Sequence, residues 1–189
     1  MKTRFLTAFG LFFISAILFT SCNSNDAVKE ANEANKQMPD SVSTGKVNKD
    51  DAEFATAAAN GGMMEVELGK LCVEKAQNIK VKDYGAMIVD DHTKANNELK
   101  NIAYNKNLIL PEAISTSDQK MIDDLKMKDG KAFDKAYMDM MISDHDQDIK
   151  DFKKEADNGK DAVISSFATK TLPVLQKHLD AAKTIRKAV

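Results

Sequence analysis

The chain has no tryptophan and is short of proline (3), glycine (8), cysteine (2) and histidine (3) among its 189 residues. So few turn formers exclude a β-sandwich or barrel, whose many short strands need frequent Gly and Pro. Neither sign of charge dominates: 27 Lys and Arg stand against 29 Asp and Glu, a formal net charge of −2. Without a basic cluster there is no cationic footprint for a nucleic-acid partner, and none is expected. A Gly-rich phosphate loop and a nucleophile elbow are both missing, so the common signatures of nucleotide chemistry and acyl transfer are absent. No enzymatic activity is indicated.

The longest hydrophobic run, Phe5 to Phe19, lies behind Lys2 and Arg4 and ahead of Thr20-Ser21-Cys22. At about 15 residues it is shorter than the roughly 20 that cross a bilayer, and the layout is that of an export signal. Phe19-Thr20-Ser21-Cys22 resembles a bacterial lipoprotein box, with Phe where Leu is usual. In that reading residues 1–21 are a signal peptide, Cys22 carries lipid, and the protein is tethered to a membrane of the cell envelope, expected to be the outer membrane. An ordinary secretory signal with a chance Cys is the competing reading. Export leaves 25 basic against 29 acidic residues and removes five of the nine Phe. The mature core is therefore aliphatic and rich in Met. Cys72 is left with no intramolecular partner, so no structural disulfide is expected.

Residues 22–49 contain only Val28, Met38 and Val47 as larger apolar side chains, too few to offset the entropy of ordering. They read as a disordered tether, and 50–189 as the folded domain. Asp50 with Glu53 looks like a capping box. From there Phe54, Ala58, Gly61, Glu65, Leu68, Cys72, Ala76 and Ile79 recur at steps of three and four, one face of a helix ending near residue 79. Tyr84, Ile88, His92, Ala95, Leu99 and Ile102 trace a second helix to about Asn107. After Pro111, Thr116 with Gln119 caps a brief helix over about 117–128. Phe133, Tyr137, Met141, His145, Ile149, Phe152 and Ala156 trace a third long helix, with Asn158-Gly159 as a left-handed cap. Phe167, Leu172, Leu175, Leu179, Ala182 and Ile185 mark a fourth, from about Asp161 to Lys187, interrupted by Pro173. Such stripes cannot be buried by single helices, so the fold class is all-α: a four-helix bundle with an extra short helix between the second and third long helices. The second and third helices could be joined by a short loop or by a crossover. MIVDDH at 87–92 echoes MMISDH at 140–145, but the two fall on non-equivalent helices.

Polar residues interrupt each apolar face: Glu65, His92, His145 and His178. Counted from the nearest turn, all four lie near mid-helix, within about 10 Å along the bundle axis at 1.5 Å per residue. Two accounts are open. The imidazoles and carboxylate could hold one transition-metal ion, copper, zinc or iron, since neutral His with a carboxylate suits those metals. Alternatively they form a hydrogen-bonded packing network in a non-enzymatic structural or stress-related envelope protein. The residues three before the histidines are Val89, Ile142 and Leu175, so the Glu-x-x-His pairs of di-iron bundles are absent. Asp91 and Asp144 precede two of the histidines but should point about 100° away, as surface charges. Met63, Met64, Met87, Met138, Met140 and Met141 could offer thioethers to copper(I), though Met is also a general core filler. Cys72 reads as a buried, inert thiol.

The segments GGMMEVELGKL, YGAMIVDDHTKANNEL, the LP at 110–111, FDKAYMDMMISDH and TLPVLQKHL together resemble the bacterial family filed as domain of unknown function 4142. The resemblance spans nearly all of residues 50–187. It implies a ferritin-like bundle in an exported protein, with no established activity and no role for the four polar residues, which fall within the matching motifs. Cys72 departs from the small apolar residue expected after GKL.

Overall fold

A computed structural model describes residues 24–37 and 47–189. The expected signal (1–21), Cys22, Asn23 and residues 38–46 lie outside the described residues. Six helices follow in order: α1 (Ser24–Gln37), α2 (Lys49–Lys75), α3 (Ile79–Asn105), α4 (Thr116–Lys126), α5 (Gly130–Asn158) and α6 (Ala162–Arg186). No strand occurs among the described residues. The four long helices are the ferritin-like bundle, and α4 is the extra short helix.

Side chains that satisfy the first free N–H groups set the helix starts. Asn48, and not the Asp50–Glu53 pair, caps α2: its Oδ1 accepts from the Asp50 N–H at 2.8 Å. Asn78 caps α3 by accepting from Lys80 N–H at 2.9 Å, which shortens the α2–α3 turn and ends the first long helix at Lys75. Ser115, one residue before the expected Thr116, caps α4. Asp161 caps α6 through the N–H groups of Val163 and Ile164.

Two glycine positions differ from the sequence reading. Gly159 follows α5 at φ −56°, so it is no left-handed cap. It is glycine for space: a Cβ there would meet Glu155 Oε1 and Ser165 Oγ, each at 2.2 Å. Gly130, at the opening of α5, has φ +54° and does use the left-handed region open to glycine.

The tether reading also changes. Ser24–Gln37 is helical, where disorder was expected. Val28, Ala31, Asn32 and Asn35 form its less exposed face, with Ala31 buried. Asn35 replaces missing apolar area with two backbone bonds: Nδ2 donates to Ile109 O at 2.9 Å and Oδ1 accepts from Ile109 N–H at 2.8 Å. Thus α1 packs along α2 and touches α4.

Helices α2 and α3 form one antiparallel hairpin, α5 and α6 the other, with α3 against α6 and α2 against α5. Each hairpin turn is fixed by a buried aspartate of the other hairpin. Asp134 of α5 accepts from the N–H groups of Gln77 (3.0 Å) and Asn78 (2.9 Å), and Asp51 of α2 accepts from those of Lys160 (3.0 Å) and Asp161 (2.6 Å). These contacts also fix direction. The end of α2 meets the start of α5, and the start of α2 meets the start of α6. Hence α3 and α5 run parallel, and residues 106–129, with α4 inside them, cross the length of the bundle. The connection left open by the sequence is a crossover.

The core has two apolar parts. One holds Leu68, Tyr84, Ile88, Phe133, Tyr137 and Met141, the other Ala55, Leu99, Phe152, Phe167 and Leu175. Met64, Met138 and Met141 belong to the first part, with Met87 and Met140 packed against it. Cys72 is buried there too, its thiol donating to Val81 O at 3.1 Å and pushed up to about 12 by burial.

Candidate metal centre

Between the two apolar parts lies a polar layer. Glu65 of α2, His92 of α3, His145 of α5 and His178 of α6 are 1%, 6%, 0% and 0% exposed. They come from the middle of all four long helices, because antiparallel helices of similar length place their midpoints at one level. The three imidazole centroids stand 5.2 to 5.7 Å apart. One ring nitrogen of each lies within 4.8 Å of one of the other two.

Each ring has one nitrogen paired with a protein oxygen. His145 Nδ1 is 2.9 Å from the Met141 carbonyl, which can only accept, so that nitrogen carries the hydrogen. His178 Nε2 is 3.0 Å from Asp91 Oδ2. Burial pushes Asp91 up, but the His178 bond and Lys177 outweigh it and hold it below the usual carboxylate range. As a carboxylate it accepts, so His178 Nε2 is the donor. His92 Nδ1 pairs with Glu65 Oε2 at 2.7 Å.

The other nitrogens of His145 and His178 therefore carry lone pairs. His145 Nε2 and His178 Nδ1 lie 3.2 Å apart. Neutral rings with these tautomers set two lone pairs against each other, which a shared cation or proton must relieve. Burial works against the proton, lowering His92 to about 4, His145 to about 3 and His178 to about 4. His92 Nε2 and Glu65 Oε1 are buried without hydrogen-bond partners, although Glu65 Oε1 is 3.5 Å from His145 Nε2. A packing network is expected to satisfy such atoms. Instead, three oriented imidazoles and a carboxylate leave their free donor atoms facing one another, as in metal sites whose ligands are oriented by outer partners.

The sequence reading placed Asp91 and Asp144 at the surface, and both need correction. Asp91 orients His178, and Asp144 has a buried Oδ2. The 100° offset between neighbours on a helix turns them only as far as the next helix of the bundle. Asp148, three residues after His145, was missed altogether. Its place one turn from Asp144 was the available signal. Glu65, Asp144 and Asp148 bring one oxygen each within 4.8 Å of one another. Met64, Met138 and Met141 supply apolar packing, and the Met141 backbone carbonyl is bonded to His145.

The family described as "Domain of unknown function (DUF4142)" matches residues 36–185. Among solved structures, the crystal structure of a DUF305 fragment from Deinococcus radiodurans is similar, with a TM-score of 0.67 at 10% identity over 76% of this chain and 99% of that one. At that identity the likeness concerns the fold alone. No curated protein matches the chain.

Proposed function

Because the chain belongs to the domain of unknown function 4142 family, whose description assigns no activity, we propose that its bundle binds a transition-metal ion through His92, His145, His178 and Glu65. We further infer that lipid on Cys22 holds the protein at a membrane of the cell envelope. The observation that carries the metal reading is the 3.2 Å approach of His145 Nε2 to His178 Nδ1, both left as acceptors by the partners of their other nitrogens. A cation between them turns a repulsion into two bonds. Three imidazoles with one carboxylate suit zinc, copper(II) or iron(II). Burial favours neutral imidazoles, so the ion need not displace protons from them near pH 7.

Calorimetry on the full chain, purified without an affinity tag and stripped of metal, tests the reading with copper(II), zinc and iron(II) in turn. One of them should bind saturably at the histidines, raise the melting temperature by mass action, and bind at least tenfold more weakly to His145→Ala and His178→Ala. Lack of saturable binding by all three overturns it.

A further inference from the structure

Three carboxylates beside the histidines stand apart from the lysines and arginines of the described residues. Glu65, Asp144 and Asp148 are mutually within 4.8 Å, and among the described residues no lysine or arginine forms an ion pair with any of them. Asp144 and Asp148 are one turn apart on α5, and Glu65 faces them from α2. Glu65 is 1% exposed; it gives Oε2 to His92 and leaves Oε1 unpartnered, while Asp144 Oδ2 is likewise buried and unpartnered.

The surroundings provide a way in. A groove opens beneath α1, between α2 and α4, with Asn60, Gly61, Ser115 and Asp118 on its walls and Asp144 among its lining residues. Glu65, Asp148 and His92 line a narrower cavity that also includes Gly61. Gly61 lines both, and a Cβ there would meet nothing within 4 Å. The carboxylates thus stand between an open groove and the histidine layer.

We propose that Glu65, Asp144 and Asp148 form a second cation site, an oxygen-donor site for a hard divalent ion of the manganese(II) class, beside the histidine site. Carboxylate oxygens without imidazole or sulfur favour such ions. Glu65 belongs to both sets: Oε2 is held by His92, and Oε1, without a hydrogen-bond partner and 3.5 Å from His145 Nε2, can serve an ion of either set. With ions in both places, positive charge stands beside Glu65, Asp144 and Asp148, while Asp91 already has Lys177 and Lys94. The inference rests on the histidine reading for its neighbour only, since its own ligands are carboxylates.

Manganese(II) is the probe, followed by the paramagnetic signal of the free ion, on the metal-stripped full chain before and after one equivalent of zinc. One manganese per chain should bind in both conditions. The double variant Asp144→Asn, Asp148→Asn should lose at least tenfold in manganese affinity while still taking up zinc, and His145→Ala with His178→Ala should keep manganese affinity within a few-fold. No saturable manganese binding, displacement of manganese by one equivalent of zinc, or its loss in the histidine variant would each overturn the proposal. Manganese binding in a chain that takes up no copper, zinc or iron would sink the histidine reading and leave this one standing. The zinc arm needs no variant, so poor folding of a variant cannot obscure the result.

Discussion

Single residues in this bundle hold charge where water is scarce, and Glu155 shows it away from the polar layer. It is buried in the last turn of α5. Burial, and then the Asp51 carboxylate, push it up to about 7. Because its folded value lies above the unfolded value near 4.5, Glu155 contributes stability that is fully present below about 4.5 and lost as pH rises through about 7. The denaturant midpoint of the wild type, taken relative to that of Glu155→Gln at the same pH, should therefore fall between pH 5 and pH 8. An identical slope in the variant would mean that the carboxyl faces water. Such a pair is hard to read from sequence, since Asp51 and Glu155 are over a hundred positions apart. The four inward polar residues were legible for the opposite reason: each breaks an apolar stripe on its own helix. Asp91 and Asp144 were misread because a stripe says which side faces the core, but not how far around the helix its neighbours reach.

At the scale of elements, the two hairpins are built differently from isolated amphipathic pairs. Helices α2 and α3 approach most closely at Gly69 and Gly85. A Cβ on Gly85 would lie 2.8 Å from Cys72 Cβ and 3.0 Å from Gly69 O, so backbone would have to move. Gly85→Ala should cost about 1 to 3 kcal/mol by overpacking. By contrast Gly61→Ala meets open space and should be nearly neutral or stabilising, because alanine is the better helix former. Equal chemical-denaturation midpoints for the two variants would contradict the α2–α3 geometry. Helix existence and approximate length followed from periodicity, with ends off by a few residues. The caps chose Asn48 and Ser115 over equally plausible neighbours, a choice made by backbone geometry that composition does not encode. Helix α1 escaped notice because it is held by small residues and by Asn35, whose partner Ile109 is 74 positions away.

For the whole molecule, the crossover was beyond the sequence because mid-helix residues meet at one level whichever way α5 runs. The directions are set by Asp51 and Asp134, each of which reads as an ordinary helix-start acid until its distant partners are seen. The proposed attachment to the envelope concerns the whole chain. No helix among the described residues is long and apolar enough to cross a membrane, and the anchor proposed is lipid on Cys22. In a bacterial host given labelled palmitate, the wild type should take up label and Cys22→Ala should take up none. Undiminished labelling of the variant would refute the anchor.

The division of the polar layer between hairpins bears on how the chain folds. Glu65 and His92 are paired within the first hairpin at 2.7 Å, and His145 and His178 within the second at 3.2 Å. Each hairpin closes over a turn of only a few residues, so both can form early, since local contacts carry the smallest loop-closure entropy. Their inner surfaces then already carry polar side chains at mid-height, Glu65 with His92 on one and His145 with His178 on the other, and the undocked halves do not present unbroken apolar faces to other chains. Docking brings the pairs together across the seam, so the His145 to Glu65 contact would mark the completion of folding rather than its start.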